Sequence, residues 1–164
     1  MIPVVSVVGK SNVGKTTLVE KLLRELKARN YKVATVKHDV HGFNIDIPGK
    51  DTWRHSEAGA DIVIISSPAK VAMIKKVEEE MSLDDIAKTI EGVDLILTEG
   101  YKRGNKPKIE VFRQGVYDEI LCSPDELIAL ATDKNFAIGV PCYGLDDAKG
   151  LVDRIEETIL SDLK

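Results

Sequence analysis

Gly9-Lys10-Ser11-Asn12-Val13-Gly14-Lys15-Thr16 is a complete G-x-x-x-x-G-K-[ST] phosphate loop, and what flanks it decides the fold. Before it, Ile2 to Val8 is an apolar, β-branched run of the kind a strand buried on both faces requires. After it, Leu18, Val19, Leu22, Leu23 and Leu26 recur at helical spacing. Strand, glycine loop and helix in this order make a nucleotide site, and the chemistry explains the residue types. Gly9 and Gly14 let the backbone wrap tightly enough for successive N–H groups across Lys10, Ser11, Asn12 and Val13 to face phosphates, and the following helix N-terminus adds its dipole. Lys15 neutralises the β/γ oxygens, the Thr16 hydroxyl ligates magnesium, and Thr17 completes the set of nucleotide contacts.

The 164 residues suit a single nucleotide-binding domain spanning 1–164, long enough for a sheet covered by helices on both faces. A hydrophobic fraction of 43% with 30% charged residues is ordinary for a soluble globular protein. The net charge of −4 gives no electrostatic footprint for nucleic acid or an anionic membrane, so neither is expected as a partner. The first strand begins at Ile2 without a basic leader and no apolar run is long enough to span a bilayer, so a cytoplasmic location is expected. Cys122 and Cys142 are isolated in sequence and read as two buried thiols rather than a disulfide.

Working outward, the first helix should run from Thr16 to Arg29 and end at Asn30, a residue that tolerates a left-handed cap. Lys32–Lys37 reads as a second strand, and 38–50 as a long functional loop. Asp51 or Thr52 can then cap a short helix over 53–58. The runs 61–66 and 69–75, separated by Ser67-Pro68, predict a hairpin at one edge of the sheet. Ser82 to Asp85 has capping-box spacing and starts a helix to Ile90. Strands follow at 93–98, 108–112, 127–132 and 138–143, and a helix over 147–163 closes the chain, with Leu151, Ile155, Ile159 and Leu163 on one face. This alternation predicts a three-layer α/β P-loop NTPase fold with a mostly parallel sheet and an antiparallel edge hairpin, its phosphate loop at the carboxyl edge of the strands.

Among phosphate-loop proteins, the first discriminating residue is Lys10. A lysine directly after the first glycine occurs in the deviant loops of dimeric nucleotide switch proteins, where it reaches the partner's nucleotide; the other reading is a solvated loop lysine. The second is Glu99, which ends the apolar run from Val93 and stands beside Gly100. A carboxylate at that edge can hold magnesium through water or order the attacking water, which makes Lys15 and Glu99 the catalytic candidates. Ras-like motifs fail. Asp46-Ile47-Pro48-Gly49 has no strand before it, and Asn105-Lys106-Pro107-Lys108 carries Lys where guanine recognition demands Asp. His38 and His41 are too close for a zinc-finger pair and have no cysteine beside them, so a polar loop facing an anionic ligand explains 37–55 better.

Three segments carry a family resemblance: the nonapeptide Gly9–Thr17; Val36-Lys37-His38-Asp39 with His41; and Asp46 through Asp51-Thr52-Trp53-Arg54-His55 with Ala58-Gly59-Ala60. With Leu97-Thr98-Glu99-Gly100-Tyr101-Lys102 and Lys108-Ile109-Glu110-Val111, they resemble the molybdopterin-guanine dinucleotide biosynthesis adapter family, MobB, along essentially the whole chain. The resemblance implies a GTP-binding homodimer in molybdenum cofactor assembly with weak GTPase activity. Such a dimer would assist the molybdenum cofactor guanylyltransferase that attaches GMP to molybdopterin, and molybdopterin is itself a candidate ligand. In the related dethiobiotin synthetase, an aspartate at the start of the second helix and a glutamate after a later strand both ligand magnesium, and Asp51 and Glu99 match those positions by order and context. Asp133 follows a strand in Thr132-Asp133-Lys134-Asn135 and has two readings, a contact to the guanine N1 and N2 donors or a turn former. The competing function is a small P-loop kinase or ATP-dependent ligase acting on a small metabolite. Arg54, Arg103 and Arg113 are scattered in sequence and no lid insertion is visible, which argues against it.

Overall fold

The computed structural model describes residues 1–161. In chain order its elements are β1 (Val4–Val8), α1 (Lys15–Ala28), β2 (Val33–Lys37), α2 (Asp51–Glu57), β3 (Ile62–Ser67), β4 (Lys70–Lys75), α3 (Leu83–Lys88), β5 (Leu95–Glu99), β6 (Lys108–Phe112), β7 (Leu127–Thr132), β8 (Cys142–Tyr143) and α4 (Ala148–Ile155). They fall into two compact units, one of Met1–His38 with Leu83 onward and one of Asp39–Ser82.

The first unit is built on a six-stranded sheet in the order β2-β5-β1-β6-β7-β8. Every pairing in it is parallel. Period-2 alternation sends Val5, Val7, Leu95, Leu97, Ile109 and Val111 to one face, where Leu18, Leu22 and Leu26 of α1 and Leu151, Val152 and Ile155 of α4 cover them. Val4 and Ile96 point the other way, onto Leu83 and Ala87 of α3. Burial on both faces is why β1 has no polar alternation; its one hydroxyl, on Ser6, accepts from Thr98 Oγ1 at 2.9 Å.

α1 ends as its sequence predicts. Asn30 adopts φ 68°, its N–H donates to Lys27 O and that of Tyr31 to Leu26 O, which together satisfy the last carbonyls in a Schellman arrangement. Other expectations need correction. The hairpin β3–β4 forms, but as a two-stranded sheet of its own rather than as an edge of the parallel sheet. The last strand shrinks from 138–143 to Cys142–Tyr143, because Gly139 turns at positive φ and Pro141 has no N–H to donate. Cys122 is buried as expected, whereas Cys142 on this edge strand is exposed. The closing helix is α-helical over Ala148–Ile155, where Asp147 caps it by accepting from Gly150 N, and continues as a π-helical turn over Glu156–Leu160. Leu163, expected on its apolar face, lies outside the described residues.

At the amino edge of the sheet Lys108 is 1% exposed, and its ammonium is held by Gly104 O and Glu126 Oε1, both at 2.6 Å. The hydrogen bonds from Lys108 and Ser123 hold the Glu126 carboxyl down to about 2 from its ordinary 4.5. A carboxylate depressed in the folded state adds stability above its unfolded pKa and loses it as pH falls through the folded one. Denaturation midpoints of the native chain are therefore expected to fall between pH 4.5 and about 2 by more than those of Glu126→Gln, and parallel profiles would refute the pairing.

In the second unit a loop over 39–50 leads into α2, which packs beside β3. The hairpin register runs from Ile62 opposite Lys75 to Ser67 opposite Lys70. Val63 is the buried hydrophobic residue of this unit, while Ile62, Ile64, Ile65, Val71 and Met73 are all exposed.

Candidate nucleotide site

The phosphate loop opens where β1 ends. Gly9 has φ +147°, and a Cβ there would stand 2.7 Å from the Val111 carbonyl oxygen, so the loop passes too close to β6 for any side chain. Gly14, at φ +101°, is the residue before α1, and Asn12, at φ 63°, is of a type that tolerates this region. Val13 is buried and anchors the loop, while Ser11, Thr16 and Thr17 are exposed. Arg113, one residue beyond β6, donates from Nε to Val13 O at 3.3 Å. Lys15 folds back so that Nζ donates to Lys10 O at 2.7 Å.

Parallel pairing brings Val7 of β1, Lys37 of β2 and Glu99 of β5 level at the carboxyl edge. There the Thr16 hydroxyl donates to Glu99 Oε1 at 2.9 Å, and Lys37 Nζ lies 3.9 Å from the same oxygen. Desolvation pushes the Lys15 ammonium below the ordinary lysine value. Glu99 works against that shift, and the charges of Lys37 and Lys102 add to it. The mouth of the loop thus holds three cations against one carboxylate, a field suited to an anion. The adjacent hydroxyl and carboxylate oxygens fit Mg2+, a hard ion that takes one or two such protein ligands and completes its shell with water and phosphate oxygens.

Lys10 rests its ammonium 5.0 Å from the centroid of the Tyr117 ring, a position that its sequence readings did not include. Tyr117 Oη lies 2.9 Å from Glu110 Oε1 and 2.7 Å from Val111 O. The fully buried Glu110 also accepts from the amides of Leu121 and Cys122 at 2.7 and 2.9 Å. Burial, reinforced by Glu110, pushes the Tyr117 phenol well above its ordinary value and the Cys122 thiol up to about 12. Asp133 follows β7 as expected, and its Oδ1 accepts from Gln114 N at 2.8 Å, tying two loop segments at this edge. Beside it, the Lys134 ammonium lies over the rings of Phe136 and Phe112. Asp51 is the first residue of α2 in the second unit, exposed and 3.9 Å from Arg54. Asp46 belongs to a loop turn, where Oδ1 accepts from Ile47 N and Thr52 Oγ1. Lys106, in the other Ras-like decoy, pairs with Asp84.

Lys37 was expected only as part of the polar 37–55 loop facing an anionic ligand, and Lys102 and Arg113 were not among the expected phosphate or magnesium contacts. A signal existed for two of them. Lys37 and Arg113 end or follow apolar strand runs just as Glu99 does, so the rule that selected Glu99 selects them as well.

Residues 4–133 match the family model described as Molybdopterin guanine dinucleotide synthesis protein B. The chain belongs to the MobB family. MobB relatives include a molybdopterin-guanine dinucleotide biosynthesis adapter protein of Escherichia coli, 35% identical over 96% of this chain and 93% of the relative. The adapter protein of the same name from Haemophilus influenzae is 34% identical over 94% of this chain and 88% of its own length. A crystal structure of molybdopterin-guanine biosynthesis protein B superposes with a TM-score of 0.74 at 29% identity, covering 94% of this chain and 97% of that one. The MobB fold is the P-loop NTPase fold predicted from the phosphate loop and its flanks, with a parallel six-stranded sheet and a separate antiparallel pair.

Proposed function

We propose that this chain is a GTP-binding adapter in molybdopterin guanine dinucleotide biosynthesis. The observation that carries the reading is the Thr16–Glu99 contact at the mouth of an intact phosphate loop, in a chain whose relatives bear the adapter name. GTP occupies Gly9 to Thr17 with Mg2+ on Thr16 and Glu99; Asp51 is the second carboxylate that the resemblance carries over. Asp133 is the proposed reader of the guanine edge. Its Oδ1 is engaged by Gln114, so the contact would fall to Oδ2. Hydrolysis is slow at most, with Lys15 and Glu99 as its only assigned groups.

The adapter acts in the cytoplasm as a homodimer alongside the guanylyltransferase that joins GMP to molybdopterin, with molybdopterin as a candidate direct ligand. The exposed apolar side chains of β3 and β4 support the dimer. The hairpin forms a two-stranded sheet with α2 beside β3, which leaves these side chains uncovered, and a second copy of the chain is the proposed cover. Among the described residues no helix is long and apolar enough to cross a membrane. Family membership favours the adapter over the kinase or ligase alternative.

Calorimetry with magnesium should show GTP and GDP binding well ahead of ATP. Equal affinity for GTP and ATP would refute the guanine assignment, and rapid turnover with a small metabolite would establish the kinase instead.

A further inference from the structure

Two groups compete for Glu99 Oε1, since the Thr16 hydroxyl donates to it and the Lys37 ammonium approaches to 3.9 Å. Lys37 is the last residue of β2 and stands level with Glu99 across the sheet. Lys102 comes three residues after Glu99, on a turn whose path is tightly set. Gly100 N donates to Val7 O and His38 N to Glu99 O, each at 3.0 Å. The His38 and Tyr101 rings stack with centroids 4.6 Å apart. Gly100 turns at φ +105°, where a Cβ would press on His38 Cβ at 3.2 Å, and Tyr101 turns at φ 55°. Two lysines are thereby mounted on adjacent, mutually braced segments at the carboxyl edge, Lys37 one residue before His38 and Lys102 one residue after Tyr101 of the stacked pair.

We propose that Lys37 and Lys102 hold the terminal phosphate of a bound nucleoside triphosphate and so make the site distinguish a triphosphate from a diphosphate. The inference rests on the nucleotide reading above and extends it to the two lysines. Loop amides and Lys15 serve the phosphates nearest the start of α1. Magnesium would claim the oxygens of Thr16 and Glu99, which leaves the Lys37 ammonium without the anion it now faces. A terminal phosphate supplies a replacement, and charge-assisted contacts to it are the strong kind. A diphosphate lacks that group, so with GDP both ammoniums stay in water and their removal changes little.

Calorimetry in magnesium with the β,γ-imido analogue of GTP and with GDP tests this on the unaltered chain, Lys37→Ala, Lys102→Ala and Lys37→Arg. Each alanine variant should lose about tenfold or more in affinity for the analogue, the effect of one charged hydrogen bond, while GDP affinity moves by less than about twofold. Lys37→Arg should keep most of the discrimination. Equal losses with both nucleotides would reassign the lysines to Glu99 or to the fold, and no loss with either would return them to solvent; both results overturn the inference and leave nucleotide binding standing. An unaltered chain that binds neither nucleotide would overturn the nucleotide reading and this inference with it.

Discussion

Lys15→Ala is expected to raise the Kd for magnesium–GTP by at least about a hundredfold. In the proposed complex the lysine makes charged contacts to two phosphates, each worth roughly 1.5–3 kcal/mol, and about 1.4 kcal/mol corresponds to a factor of ten. The fold should be indifferent to the change. Among the described residues Lys15 Nζ donates to the Lys10 carbonyl alone, an exposed acceptor that water can serve equally well, so the thermal midpoint should move by no more than a few degrees. A pH effect accompanies this. Desolvation lowers the Lys15 pKa from 10.5, and only the protonated form binds phosphate, so rising pH removes the charge earlier than for an ordinary lysine. GTP affinity of the unaltered chain should therefore weaken on the alkaline side, and the residual affinity of Lys15→Ala should be flat over that range. Calorimetry across pH measures both. An alanine variant that binds GTP within about threefold of the original would remove Lys15 from the site, since one exposed contact is worth no more than that.

The parts of this site legible in the sequence are those whose chemistry demands a residue type at a fixed spacing. Gly9 and Gly14 are required by backbone geometry within one loop, and the run ending at Glu99 shows its strand by composition alone. Elements set by local signals also followed the sequence, down to the left-handed turn at Asn30. What stayed hidden depends on pairing between distant segments. That Lys37 faces Glu99 follows from the β2–β5 register, and that Lys10 rests on Tyr117 follows from a loop far along the chain. The hairpin strands 62–67 and 70–75 were readable as strands, but their separation from the parallel sheet was not. A two-residue connection specifies the partner of each strand and says nothing about their outer edges. Cys142 illustrates the same limit: its composition suggests a core residue, and only its place on a two-residue edge strand exposes it.

Glu110 was read only as part of the KIEV segment, and the second large effect is expected there. Its carboxylate is fully buried on β6 and collects three donors from a single downstream stretch, the Tyr117 hydroxyl and the amides of Leu121 and Cys122. Tyr117 in turn carries Lys10 of the phosphate loop on its ring, so one side chain braces the 113–122 segment against the nucleotide edge. Glu110→Leu puts a somewhat larger apolar side chain in the same place and strands both amides, while the Tyr117 hydroxyl can turn its one proton to the Val111 carbonyl. Each buried donor left without a partner costs about 1–3 kcal/mol. Removing the buried charge offsets part of that, for a net loss of roughly 3 kcal/mol. At about 2–4 °C per kcal/mol for a chain of this size, the thermal midpoint should fall by roughly 6–12 °C. Glu110→Gln retains one acceptor oxygen and turns an NH2 group toward a donor, so it should fall between the two. Hydrogen exchange separates this bracing from a general loss of packing: in Glu110→Leu the Leu121 and Cys122 amides should exchange faster than those of α1, whose packing the substitution does not touch. A leucine variant as stable as the original, with those two amides still protected, would show that the segment is held by Phe112 and its aromatic neighbours Tyr117 and Phe136 rather than by the carboxylate.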